Sequence, residues 1–167
     1  MKVNGTLTLS GKAIIRYKNP ETGEYVGEPV VYTNMVVDTG AAAIAAWLAN
    51  ATPVAAGTFK YMGLGSGSTA AAHGQTALVS EYTGVGTYAR ISGTQSIQAE
   101  GSNGNKVYQV VAEFPACTGC SAAAELGLFS QLAVGGTMLC RLVLSPTRDN
   151  QNNALEITYQ LTVAPAP

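Results

Sequence analysis

Apolar and polar residues alternate along most of this chain, and a two-residue period marks strands with one buried face. Thr6 to Ser10 alternates, and the stretch from Lys12 to Lys18 carries Ile14, Ile15 and Tyr17. Asn19-Pro20-Glu21-Thr22-Gly23-Glu24 then reads as a tight turn, with proline presetting one dihedral and glycine admitting a positive φ. The pattern resumes from Tyr25 to Val37, where Pro29 points to an edge position or a strand start. Phe59 to Leu64, Tyr88 to Gln98, Lys106 to Phe114, Ala122 to Phe129, Met138 to Leu144 and Ala154 to Val163 read as further strands. Turn-rich stretches at 100–105, 134–136 and 148–153 separate the later ones.

One segment has a different period. Asp38-Thr39 supplies N-cap chemistry, and Ala41 to Asn50 is alanine-rich. Ile44, Trp47 and Leu48 fall on one stripe, so a short helix over about 39–50 is expected, anchored on the sheet by Trp47, the only tryptophan. Eight or nine short strands with one helix predict a mainly β domain, a β-sandwich or jelly roll. No boundary interrupts residues 1–167, so a single domain is expected, with residues 164–167 (Ala-Pro-Ala-Pro) as an extended tail.

Composition changes this picture in one respect. Charged residues make up only 11% of the 167 residues, against about a quarter in ordinary domains. A surface so poor in charge points to burial against partners, and hence to a homo-oligomer, a trimer or dimer. The net charge is −1 and no basic run exceeds a pair, which argues against nucleic-acid binding. The longest apolar stretch, residues 40–48, is too short to span a bilayer, and the N-terminus lacks an apolar signal core. A protein made in the cytoplasm, without membrane attachment, is expected.

Candidate chemistry is sparse. Cys117, Cys120 and Cys140 are the conceivable metal ligands, with His73 as a fourth, but His73 sits in a loop sequence and nothing marks it as a ligand. The cysteines are therefore read as metal-free thiols, without metal or cofactor, and Cys117-Thr118-Gly119-Cys120 as a plain turn. Gly63-Leu64-Gly65-Ser66-Gly67-Ser68-Thr69 resembles a phosphate loop only in its glycines, because the lysine before Ser or Thr is missing. A Ser-His-Asp arrangement has His73 as its one histidine and only Asp38 and Asp149 as aspartates. For paired-carboxylate hydrolysis the candidates are Glu81, Glu100, Glu113 and Glu125. Glu125 has the most unusual setting, just before an apolar run. Its expected role is a scaffold carboxylate with Arg90 or Arg141 as partner, and Glu125 and Arg141 fall on segments that a hairpin makes cross-strand neighbours. Leu126, Leu128 and Phe129 are expected in the core. An enzyme is not expected.

Several short motifs occur in a distinctive order. Asn34-Met35-Val36-Val37-Asp38-Thr39-Gly40 precedes the helix, and Tyr61-Met62-Gly63-Leu64-Gly65-Ser66-Gly67-Ser68-Thr69 follows it. Then come Thr76-Ala77-Leu78 with Glu81, Tyr88-Ala89-Arg90, Glu125-Leu126-Gly127-Leu128-Phe129, Gly135-Gly136-Thr137-Met138-Leu139 with Arg141, and a final strand from Leu155 to Val163. In this order the chain resembles small virion proteins of tailed bacteriophages, of the head decoration (cement) and tail-fibre type. The resemblance implies a structural role: binding to the major capsid protein or other virion proteins, with the virion as its location. Stabilising the head shell is the first expectation and a tail-tip or tail-fibre role in host attachment the second. A glycan-binding module or small hydrolase is a remote third. The Cys117–Cys120 segment departs from the pattern of such proteins.

Overall fold

The computed structural model describes residues 7–48, 59–83, 89–100, 105–118, 122–149 and 151–165. Among them the chain forms β1 (Leu7–Lys18), β2 (Tyr25–Val36), α1 (Asp38–Leu48), β3 (Tyr61–Gly65), β4 (Ile91–Ser92), β5 (Thr94–Glu100), β6 (Asn105–Phe114), β7 (Ala123–Phe129), β8 (Met138–Arg148) and β9 (Ala154–Pro165). The strands are antiparallel neighbours in the order β4-β3-β7-β8-β2-β1-β9-β6-β5. The two ends of that order, β4 and β5, are separated in sequence by Gly93 alone, whose N–H donates to the Lys60 carbonyl. The sheet therefore curls back on itself into a nearly closed, sandwich-like β domain, with a single short helix among the described residues.

Two layers enclose the core. One layer is β2-β1-β9-β6-β5 and the other is β4-β3-β7-β8, joined where Met35 and Val36 pair with Arg141 and Cys140. Strict alternation aims Ala13, Ile15, Val110, Ala112, Phe114, Leu155, Ile157, Tyr159 and Leu161 inward from the first layer. Met62, Leu64, Leu126, Leu128, Leu142 and Leu144 meet them from the second. The outer faces of the layers differ. In β7 all seven residues are buried, so this strand is covered on both sides. Phe129 belongs to a second, smaller cluster with Val37, Leu78 and Met138, on the outer side of that layer.

Several expected elements shift. The stretches on either side of Gly11 join in one continuous strand, β1, paired along its whole length with β9. Residues Ala164 and Pro165 do not form a free tail: they extend β9 and pair with Thr8 and Leu7, while 166 and 167 lie outside the described residues. The expected turn at 148–153 begins later, because Arg148 is buried and still belongs to β8. Pro29 lies within β2 in the irregular stretch between the Val30–Ile15 and Val26–Tyr17 pairs, which its missing N–H tolerates. Gly93 splits the expected Tyr88 to Gln98 strand, and Tyr88 lies outside the described residues.

The largest correction is Trp47. The helix is docked at its start: the Thr39 hydroxyl donates to the Met138 carbonyl at 2.9 Å, and a Cβ on Gly40 would sit 2.2 Å from the Leu139 carbonyl oxygen. Burial then fades along the helix. Gly40 and Ala43 are buried, Ile44 is half-buried, and Trp47 is 75% exposed. Trp47 lies on the expected stripe but about a turn past the last residue that has sheet beneath it. The Leu48 side chain, also on that stripe, lies outside the described residues. Trp47→Ala is therefore expected to change stability by less than about 0.5 kcal/mol. Phe129→Ala is expected to cost roughly 3–5 kcal/mol as a core truncation. Urea unfolding of the two variants, with iodide quenching of the Trp47 fluorescence, checks both.

Candidate functional site

The outer face of the second layer carries the chain's most concentrated polar chemistry. Its floor is made of glycines: Gly63 pairs with Gly127, and Gly65 lies between Glu125 on β7 and Glu81 on the other side. A Cβ on Gly65 would come 2.5 Å from a Glu125 carboxylate oxygen, and one on Gly67 would come 2.6 Å from the same atom. The glycine-rich run thus serves close approach to an anion. The anion is not a phosphate but the chain's own Glu125.

Glu125 and Arg141 meet here. Gly127 is the direct partner of Arg141 and Val143 that of Glu125, so the two are diagonal neighbours on one face. Arg141 Nε donates to Glu125 Oε2 at 2.7 Å, and both side chains are 0% exposed. The carboxylate also accepts from the main-chain N–H groups of Gly67 at 3.1 Å, Val79 at 3.0 Å and Ser80 at 2.7 Å. Arg141 Nη1 donates to the Thr69 carbonyl and the Gln75 side-chain oxygen. Arg141 Nη2 is buried without a hydrogen-bond partner among the described residues. Every other donor and acceptor of the pair is aimed at residues 67–80, so the pair straps that segment onto the sheet.

A second pair repeats the device. Arg90 grips the Glu81 carboxylate through Nε and Nη2, the latter at 2.8 Å, and its Nη1 faces the carbonyls of Gln131, Ala133 and Gly135. The guanidinium lies 3.4 Å from the centroid of the Phe129 ring. Arg90 is thus the partner of Glu81, not of Glu125, and it fastens the loop between β7 and β8. Among the other candidate carboxylates, Glu113 is exposed and bonded to Lys18 at 2.7 Å. The Glu100 side chain lies outside the described residues.

His73 is exposed, and its carbonyl accepts from Asp38 N. Among the described residues, no group of three or more His, Cys, Asp or Glu is placed to hold a metal ion. The cysteines differ from the expected three thiols. Cys117 is disulfide-bonded and Cys140 is a free, buried thiol, while Cys120 lies outside the described residues.

Two polar clusters had no sequence signal. Arg148 Nε donates to the Tyr32 hydroxyl, which itself donates to the Pro146 carbonyl at 3.1 Å, bridging β2 and β8 where they diverge. Asn34 Nδ2 donates to the Tyr159 hydroxyl at 2.9 Å beside Cys140. Burial pushes the Cys140 thiol up to about 11 and the Tyr159 phenol well above its ordinary value. Where β2 and β8 part, Thr33, Met35, Ser68, Ala71, Arg141 and Val143 line an open notch of about 540 Å³.

The fold and site define a mainly β scaffold whose buried charges serve its own loops. No protein-family model, no curated protein and no solved structure matches this chain. No helix among the described residues is long and apolar enough to cross a membrane.

Glu125→Ala is expected to destabilise by roughly 3–5 kcal/mol, because it leaves Arg141 charged and buried. Replacing the pair together, Glu125→Leu with Arg141→Met, is expected to cost less than the single change. Denaturant unfolding of the three proteins decides this. The alkaline limb tests the Cys140 environment. Its thiol titrates near 9.0 when ordinary and about 11 when folded. Folding therefore favours the neutral form, and its contribution is full below pH 9.0 and lost as pH rises toward 11. Stability measured across that window is expected to fall, and less steeply in Cys140→Ala.

Proposed function

We propose that this chain is a non-enzymatic structural component of a tailed-bacteriophage virion, in the first place a capsid decoration protein that binds neighbouring capsid subunits. One observation carries the reading. The motifs whose order resembles virion proteins are the segments that pack on one another: Glu125 and Arg141 with Gly67, Val79 and Ser80, and Arg90 with Glu81 and Gly135. They build straps, and leave both carboxylates engaged by guanidinium groups. A hydrolase needs an acid or nucleophile facing its substrate. A shell component needs rigid loops and a surface low in charge. Exposed Tyr25, Val26, Val31, Ile97, Leu132 and Val134 supply apolar contact area around the domain.

Two measurements test this. Purified protein is expected to bind phage heads lacking it and to raise the temperature at which they release DNA. No binding to heads or tails would refute the virion role. Counting copies per particle separates the readings: a number comparable to the capsid subunits fits decoration, and a handful fits the tail tip or fibre.

A further inference from the structure

The residues between Gly67 and Leu78 are attached to the domain differently from those that flank them. Gly67 and Leu78 are buried, whereas residues 68–77 carry neither strand nor helix and are exposed, apart from half-buried Ala71 and Gln75. The flanks are fixed. Gly65 bridges to Glu81, and Ser66 N donates to the Ser80 carbonyl at 2.9 Å. Glu125 takes the N–H groups of Gly67, Val79 and Ser80, all at the base of the loop. A Cβ on Gly67 would come 2.7 Å from the Val79 Cβ, so the two ends of the loop touch. A compact loop whose ends already meet can lift without disturbing the sheet that carries it.

The polar ties of residues 68–77 to the rest of the domain run through two residues. Arg141 Nη1 donates to the Thr69 carbonyl at 2.9 Å and to Gln75 Oε1 at 3.1 Å. The His73 carbonyl accepts from Asp38 N at 2.9 Å, and His73 Nδ1 lies 3.3 Å from the Val36 carbonyl oxygen. Ser68, Ala70 and Ala71 also form one wall of the notch between β2 and β8, opposite Thr33, Arg141 and Val143. We infer that residues 68–77 are a lid, hinged at Gly67 and Leu78, that Arg141 latches over this notch. Closed, the lid leaves the Arg141 side chain 0% exposed and its Nη2 without a partner among the described residues, a cost that water relieves on opening. Open, the lid swings away while Glu125 keeps hold of the base. The notch then loses one wall, and Arg141 keeps Nε on Glu125 while Nη1 and Nη2 turn to solvent. The work is divided within the ion pair: the carboxylate fixes the hinge and the guanidinium fixes the lid. The closed form prevails, and opening is a local excursion that leaves both layers folded.

Native-state amide exchange of the intact chain, followed by NMR, tests this. Asp38 is the reporter. It begins α1, so its N–H has no partner within the helix and donates to His73 on the lid. Its amide is expected to exchange at least about a hundredfold faster than those of Gly67, Val79 and Ser80, which are freed only when the base lets go. Gln75→Ala removes one of the two acceptors of the latch, which also takes Ala72 N within the lid at 2.9 Å. This change is expected to speed the Asp38 amide about tenfold and to leave the three base amides within about twofold of wild type. Circular dichroism checks that the variant folds, and the wild-type comparison stands without it. An Asp38 amide as slow as the base amides, an Asp38 rate indifferent to Gln75→Ala, or base amides that speed up in parallel with it would overturn the lid. Binding to heads reports on the virion reading and amide exchange on this one, so either can fail alone.

Discussion

The Glu125–Arg141 ion pair constrains more of this structure than any other contact. Two charges with no solvent exposure are costly to desolvate, and the cost is offset only where their remaining hydrogen-bonding groups find partners. Here those partners are the main chain of residues 67–80, which pack across the outer face of the second layer. The glycines at 65 and 67 follow from this, since a side chain at either position would occupy the space of the carboxylate. The Arg90–Glu81 pair, seated against Phe129, extends the same arrangement to the loop after β7. The two pairs thus account for a strand, β7, that is buried on both faces.

The consequence for function is an inside-out division of labour. One layer spends its polar residues on its own loops. The other presents an outer face of Thr, Gln, Val and Ile, with charge confined to Lys12 and to one end. A chain with few charges cannot keep a large face solvated through ionic groups, so burial against another subunit or a shell is a natural use of it.

The interior shows where polar groups serve specificity more than stability. Asn34, Tyr159 and Cys140 meet between the layers, and Tyr32, Pro146 and Arg148 hold β2 near β8 beyond the two residues that pair. Misaligned layers would strand these groups without partners, at a cost of about 1–3 kcal/mol each. They therefore favour one relative placement of the two layers.

Much of the fold was legible in the sequence, because alternation and turn chemistry are local. The strands, the short helix after Val37, the buried run of Leu126 and Leu128, and the meeting of Glu125 with Arg141 across a short hairpin all depend on residues close in the chain. Trp47 shows the limit. Its helical stripe was correct, but burial depends on how far the sheet extends beneath the helix, which no local pattern encodes. The same holds for Arg90, whose partner Glu81 is chosen by a bridge across Gly65, and for Ala164 and Pro165, drawn into β9 by a strand at the opposite end of the chain. The sequence by itself determined which segments are strands and which face of each is apolar, since both follow from the two-residue period. Only the tertiary structure decided which outer face residues 67–80 cover, because that depends on contacts between residues sixteen to seventy-two positions apart around one buried ion pair.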